Sequence, residues 1–365
     1  MAPRLFFILL VPVCFLITKT CNGNGSGSGT SSPKFPALLI FGDSIVDPGN
    51  NNYINTIVKS NHQPYGLDFP GKVATGRFSN GKLVTDFLAS MLGIKESVPP
   101  FLDPYLSDDE LHTGVSFASA GSGYDDLTTV VSGAIPLSKQ VGYLKMYIQK
   151  LQRIVGEEKA RSLINASVVA VVVGTNDFVF NFYDIPTRRL HFDISGYQDF
   201  VQNRLQSFVK ELYNLGCRII AVSGLPPIGC LPIQMTLNLQ PPILRTCLQD
   251  QNSDAQSYNQ KLTKMLPQLQ ALLPGSKIVY ADIYEPINDM IYNPQKYGFE
   301  DTKRGCCGTG LLEGGTLCTP ITPLCANRSR FLFFDSVHPG ESAYRYAAEY
   351  IIKEIIPKLS DIGRF

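Results

Sequence analysis

The chain has 365 residues, a formal charge of +1 at neutral pH and 44% hydrophobic residues. That apolar fraction is too high for a disordered protein, and the length suits one large α/β domain or two small ones. A charge near zero exerts no long-range pull on nucleic acid or an anionic membrane, and the absence of a basic cluster or zinc-finger spacing argues against nucleic-acid binding.

In chain order, Arg4 is followed by an apolar run from Leu5 to Ile17 and then by a small, polar stretch. The run is too short to span a bilayer and has the layout of a secretory signal peptide, with a membrane anchor as the competing reading. Cleavage is expected between Thr20 and Thr30. The chain then divides into a signal over 1–23, a flexible Ser-, Gly- and Asn-rich lead-in over 24–35 and one domain over 36–365. With no later spanning segment, anchor tail or retention tetrapeptide, the expected location is extracellular, with no stable membrane anchor.

The first predicted strand, Ala37–Phe41, runs into Gly42-Asp43-Ser44-Ile45-Val46-Asp47-Pro48-Gly49-Asn50-Asn51-Asn52. This places Ser44 at the carboxyl end of a strand, the edge where open α/β sheets bind ligands. Asp43 and Asp47 read as turn-making and capping residues. A Pro- and Asn-rich loop follows over 50–76, then a helix over 80–92. A second strand, Gly114–Ala118, leads into Gly121-Ser-Gly123, whose backbone N–H groups are candidate oxyanion donors, Gly121 before Gly123. Helices are expected over 137–155 and 157–164. The unbroken apolar run Val168–Val173 reads as a parallel strand covered on both faces. It ends in Gly174-Thr-Asn176-Asp, so the Asn176 amide lies on the same edge as Ser44 and can also donate to an oxyanion. The competing reading of Asn176 is a turn residue whose amide ties up its own loop.

Further on, a helix is predicted over 195–215, a strand over 218–223, a helix over 249–266 that Pro267 limits or kinks, and a strand over 277–281. Strands alternating with helices give a doubly wound parallel sheet. Of the four histidines, His62, His112 and His191 read as ordinary loop residues. His338 differs. It follows the apolar run Phe331–Phe334, it has Asp335 three residues before it on one turn, and Pro339 fits the first position of the closing helix, which carries its apolar stripe over 344–359. A helix start there would disfavour an imidazolium at rest, and Asp335 would compensate once the ring takes a proton.

Nine cysteines fit an oxidising compartment. Cys217, at the start of an apolar run, reads as buried and unpaired. Cys230 with Cys247, and two bridges among Cys306, Cys307, Cys318 and Cys325, is the expected arrangement, though sequence leaves connectivity open. Zinc is the rival reading of the cluster. Adjacent cysteines and the lack of a nearby histidine are poor for it, so no metal site is expected. The glycines over 305–315 lack the lysine and spacing of a phosphate loop. Asn165 and Asn327 head glycosylation triplets, and Asn24 heads a third that depends on where cleavage falls.

Four blocks in order, Phe41-Gly-Asp-Ser-Ile-Val-Asp-Pro-Gly-Asn-Asn-Asn, Gly114-Val-Ser-Phe-Ala-Ser-Ala-Gly, Val173-Gly-Thr-Asn-Asp and Asp335-Ser-Val-His-Pro, resemble the GDSL-type lipases/esterases of the SGNH hydrolase superfamily, in the secreted form common in plants. The resemblance runs from about Pro36 to the end and includes Gly224-Leu-Pro-Pro-Ile-Gly-Cys230. It implies a three-layer α/β/α, flavodoxin-like fold with a five-stranded parallel sheet and esterase activity on a small-molecule acyl ester. It further implies Ser44 as nucleophile, His338 as base, Asp335 as the residue that orients the base, and Gly121 and Asn176 as oxyanion donors beside the Ser44 N–H. No cofactor is implied, and a monomer is assumed. The first motif departs from the family pattern in having Ile45 where leucine is usual, a swap of equal-sized branched residues. No Gly-x-Ser-x-Gly elbow is present, which separates the chain from typical α/β-hydrolases. Three other readings remain: an acyltransferase using the same serine, a catalytically silent lipid- or carbohydrate-binding protein, and a disulfide-stapled wall protein. The last would be expected to show repeats or low complexity.

Overall fold

Four of the apolar runs form one parallel sheet in the order β1 (Leu38–Gly42), β2 (Val168–Val172), β3 (Ile219–Ser223) and β4 (Lys277–Ala281). The computed structural model describes residues 34–238, 245–309 and 318–360, all within the unit Pro33–Phe365. The expected signal, the lead-in up to residue 33, Cys14, Cys21, Asn24 and part of the glycine-rich loop lie outside the described residues.

Segment 113–119 takes the fifth place in the sheet as an irregular edge instead of a regular strand. It accepts from the Leu38 and Ile40 N–H groups through Thr113 and Val115, and donates from Phe117 and Ser119 to Ile40 and Gly42. Only Ile40 and Ser116 meet as a parallel bridge to β1. On its outer side it meets a short stretch and a side chain: Ser116 bridges in parallel to Pro100, donating to the Pro99 carbonyl and accepting from Phe101 N–H, and Asn50 Nδ2 donates to the oxygens of Ser116 and Ala118, each at 2.8 Å. Counted in chain order, the spatial sequence is second, first, third, fourth, fifth, the flavodoxin-like arrangement, whose ligand crevice lies between the first and third positions.

Alternate residues on each strand serve two cores, as a sheet covered on both faces requires. Leu39, Phe41, Val169, Val171, Ile220 and Val222 face one core. Leu38, Ile40, Val168, Ala170 and Ile219 face the other. The first half of the chain supplies α1 (Val84–Met91), α2 (Asp108–His112), α3 (Asp126–Ser132), α4 (Leu137–Val155) and α5 (Glu157–Ala166). The second supplies α6 (Ile194–Asn214), α7 (Pro232–Leu237), α8 (Gln249–Ala271), α9 (Tyr284–Tyr292), α10 (Pro294–Tyr297), α11 (Glu341–Glu354) and α12 (Ile356–Ser360). Helices α4, α5, α6 and α8 cover the first face, and α1, α11 and α12 the second, giving the expected three layers.

Among the boundaries that differ from the sequence reading, three have a clear physical cause. Helix α1 begins at Val84, not at residue 80, because the Asn80 side chain is committed elsewhere: its Nδ2 donates to Asp68 and its Oδ1 accepts from Glu341 N–H. Helix α8 continues through Pro267 to Ala271. Leu266 and Leu269, each 1% exposed, seat its last turns in the core, and that packing outweighs the roughly 3 kcal/mol a helix-interior proline costs. Helix α11 begins at Glu341 with Gly340 as its cap, so Pro339 stands before the helix, in an antiparallel bridge with Phe333.

A second, two-stranded parallel sheet joins β5 (Asp301–Gly305) to β6 (Phe331–Phe333). The three disulfides are Cys230–Cys247, Cys306–Cys325 and Cys307–Cys318, and Cys217 is free and buried. Burial pushes the Cys217 thiol up to about 12, which keeps it protonated and inert. Just beyond β5, Cys306 and Cys307 donate to the carbonyls of Phe333 and Phe334, so the stapled loop braces the stretch leading into Asp335. Loops of this length, closed by a bridge, stabilise a fold by about 3 kcal/mol each.

Candidate active site

Ser44 and His338 stand 294 residues apart, and the fold brings them to one edge of the sheet. The Ser44 Oγ lies 2.7 Å from His338 Nε2. The strand that delivers the serine ends in a turn that glycine alone permits: Gly42 has φ +151°, and a Cβ there would sit 1.9 Å from the Val172 oxygen. Gln140 pairs with the same glycine from α4, accepting its N–H at 3.1 Å and donating to its carbonyl at 3.0 Å. Asp43 makes the expected turn by accepting the Ile45 N–H at 3.1 Å.

The histidine is held from three sides. Its Nδ1 lies 2.9 and 2.8 Å from the two Asp335 oxygens, and its own N–H donates to Asp335 Oδ1 at 2.7 Å. Asp335 Oδ1 also accepts the Val337 N–H, and Oδ2 accepts the Tyr65 hydroxyl at 2.8 Å. The Phe78 ring packs against the imidazole with centroids 4.8 Å apart. Burial works to raise the Asp335 carboxyl, but the facing imidazole and the two backbone N–H donors hold it below the usual carboxylate range. The carboxylate therefore stays ionised beside the ring and fixes its tautomer, with Nε2 left to accept from the serine.

Asn176 lines the same cavity as Ser44, Gly121 follows Ala120, which is bonded to the serine loop, and both loops are tied down by buried carboxylates. Gly121 has φ +88°, and a Cβ there would come within 2.6 Å of Ser132 Cβ. Asp47 Oδ2 accepts the Ala120 N–H at 3.0 Å while its Oδ1 caps Gly49 and Asn50, joining the serine loop to the glycine loop. Among the described residues the N–H groups of Ser44 and Gly121 have no acceptor. Asn176 donates one amide hydrogen to the Ser122 carbonyl at 2.9 Å. An amide carries two, so this bond orients the side chain and leaves a second donor at the wall of the cavity that Asn176 shares with Ser44. This bond ties Asn176 to the glycine loop, 54 residues away, and not to its own loop.

Asp177 anchors the other end of the glycine loop, accepting from Tyr124 N–H at 2.8 Å, Asp125 N–H at 3.0 Å and Thr128 Oγ1 at 2.6 Å. Burial raises its carboxyl to about 7, and Asp43 is raised to about 7 for the same reason. A carboxyl whose pKa is raised on folding contributes stability that is present below the unfolded value and lost as pH climbs through the folded one. Asp335 has the opposite sign: its contribution is present above the ordinary carboxylate range and lost on acidification. Asp177→Asn should therefore flatten the fall in stability between about pH 4 and pH 7 while costing about 1–3 kcal/mol overall, since one loop donor then faces an amide nitrogen. Thermal melts across that range check this. A slope unchanged from wild type would show that Asp177 does not titrate there.

Several residues at this site carry no signal in the sequence. Tyr65 and Phe78 belong to the loop and turn region before α1, and only the folded chain sets them against Asp335 and His338. They share a small core with Phe334 and the stapled cysteines, which links the disulfides to the support of the acid. Asn51 reaches the Ala120 carbonyl at 2.9 Å, so the Asn50-Asn51 pair clamps the segment running from Ser116 to Ala120. His62 packs edge-on against Tyr65, with ring centroids 5.4 Å apart. Asn165 and Asn327 are both exposed. Among the described residues, no cluster of three or more His, Cys, Asp or Glu side chains is arranged to hold a metal, and no helix is long and apolar enough to cross a membrane.

Comparison with known proteins identifies the family. A family model described as GDSL-like Lipase/Acylhydrolase matches residues 38–351. A GDSL esterase/lipase of Arabidopsis thaliana is 54% identical over 343 residues, covering 93% of this chain and 95% of the relative. A second from the same plant is 56% identical over 338 residues, covering 92% and 93%. A third is 56% identical over 338 residues, covering 92% and 94%. A match that takes in the serine loop, the glycine loop, Asn176 and the Asp335–His338 turn, with relatives more than half identical along nearly the whole length, means that this chain belongs to the GDSL-like lipase/acylhydrolase family.

Proposed function

We infer that the protein is a secreted serine esterase that cleaves carboxylic esters through an acyl-enzyme. The observation that carries this reading is the 2.7 Å contact between Ser44 Oγ and His338 Nε2, with the far side of the ring held by Asp335. Ser44 attacks the ester carbonyl as His338 takes its proton, and Asp335 stabilises the imidazolium that forms. The oxyanion is received by the N–H groups of Ser44 and Gly121 and by the second amide hydrogen of Asn176, each such donor being worth roughly 3–4 kcal/mol in the transition state. His338 then protonates the leaving alcohol. Water, activated by the same imidazole, releases the acid and restores the serine. All of these groups come from the chain itself. Three disulfides favour an extracellular protein, with Asn165 and Asn327 as glycan acceptors.

A fluorophosphonate probe tests the reading directly, because it forms a stable bond only with an activated serine. One adduct per chain is expected, on the peptide containing Ser44. Labelling elsewhere, or none on a folded protein, would overturn the assignment.

A further inference from the structure

The cavity at the serine does not stop at the surface. It opens beside Ser44 and Asn176, passes between the sheet and helices α1, α11 and α12, and reaches Leu38, Val168 and Leu359 at the opposite edge. Its volume is about 130 Å³. The cause lies in side-chain size. Ile40, Ala170, Ala221 and Val279 stand side by side across the four strands, and the two central positions are alanines. Helix α11 faces them with another small residue, Ala347, so the layers leave a gap along their midline. A second observation agrees: Val172 and Ala221, on the two interior strands, are only half-buried, although a filled sandwich would cover them completely. Beyond the mouth the walls are almost wholly aliphatic, with no charged side chain past Asp43.

We propose that this channel is the acyl-chain site: the ester carbonyl sits at Ser44 and the hydrocarbon tail runs inward along β2 and β3 beneath α11. The proposal rests on the serine esterase reading and adds the substrate class. Four residue steps along β2, from Val172 to Val168, span about 13 Å at the usual strand rise, and a cavity of about 150 Å³ is known to accept a six-carbon ring. Together these fit an unbranched acyl group of about eight carbons. The alcohol, by contrast, would remain at the open mouth beside Ser44 and Asn176.

The experiment compares p-nitrophenyl acetate, octanoate and palmitate with wild type, Ala221→Leu, which fills the channel, and Ile351→Ala, which widens it from the α11 side. Wild type should favour octanoate over acetate in kcat/KM. Ala221→Leu should lower the octanoate-to-acetate ratio at least tenfold, the scale on which an apolar pocket discriminates chain length. Ile351→Ala should move the preference towards palmitate. Calorimetric titration with octanoate gives a readout free of turnover, with binding to wild type and at least tenfold weaker binding to Ala221→Leu. Melting curves show that each variant is folded. Ratios unmoved in both folded variants, or equal octanoate binding by wild type and Ala221→Leu, would overturn the channel. Acetate turnover that survived Ser44→Ala would instead overturn the esterase reading, and the octanoate titration would still decide the channel.

Discussion

Ser44→Ala should lower kcat/KM for p-nitrophenyl esters by at least ~10⁴-fold while leaving the fold intact. The size of the loss follows from the chemistry. Without the hydroxyl there is no acyl-enzyme, and only binding and oxyanion stabilisation remain to assist attack by water. The fold should survive because the Ser44 Oγ makes one hydrogen bond, to His338 Nε2, and removing it costs about 1 kcal/mol. Steady-state rates alongside thermal melts separate the two effects. Equal rates for wild type and variant would remove Ser44 from the mechanism.

His338→Gln should be nearly as damaging, for a different reason. Glutamine can place an amide hydrogen against Asp335, and the backbone N–H of residue 338 still caps that carboxylate, so the turn should persist. What disappears is the group that accepts the serine proton and returns it to the leaving alcohol. The ring's packing on Phe78 is also lost, at about 1 kcal/mol of stability. The sharper test is the double variant. Residues that act as one unit are strongly non-additive, so Ser44→Ala combined with His338→Gln should be little slower than either alone. Losses that multiply would mean that the two side chains do not work on the same proton, and unimpaired turnover in His338→Gln would assign the base elsewhere.

The support of this site differs in kind from its reacting groups. Asp47, Asn50, Asn51 and Asp177 do not face the ester. Each bonds backbone groups of the serine loop or the glycine loop, and Asn51 and Asp177 also accept from the Ser119 and Thr128 hydroxyls. Buried carboxyls and amides that bond across to a neighbouring loop hold that loop in one conformation, which preorganised donors require. The Gly-Asn-Asn-Asn stretch, which looks like a simple turn by composition, thus serves as a clamp on a segment nearly seventy residues away.

Much of this was legible in the linear chain because it depends on local periodicity. The Val168–Val172 strand announces itself by an unbroken apolar run, α4 by its helical stripe with both ends correct, and the Asp335–His338 turn by a spacing of three. Where local preference competed with packing it misled, as at Pro267, where buried leucines carry α8 onward, and at Asn80, whose side chain is taken by a helix cap 261 residues away. Gly114–Ala118 reads as a strand and lies where a strand would, but it meets its neighbours on both sides only through isolated bridges at Ser116, and the Asn50 side chain takes further carbonyls on its outer side.

The chain by itself determined the parallel sheet, the ends of its strands and the kinds of residue found there, because strand and helix patterns and short-range turns are written in neighbouring positions. Tertiary structure alone decided that Ser44 meets His338, that Tyr65 and Phe78 brace the acid and the imidazole, and that a row of alanines opens a channel behind the serine. Those relations depend on distances between residues far apart in the chain, and a distance of that kind exists only once the layers have packed.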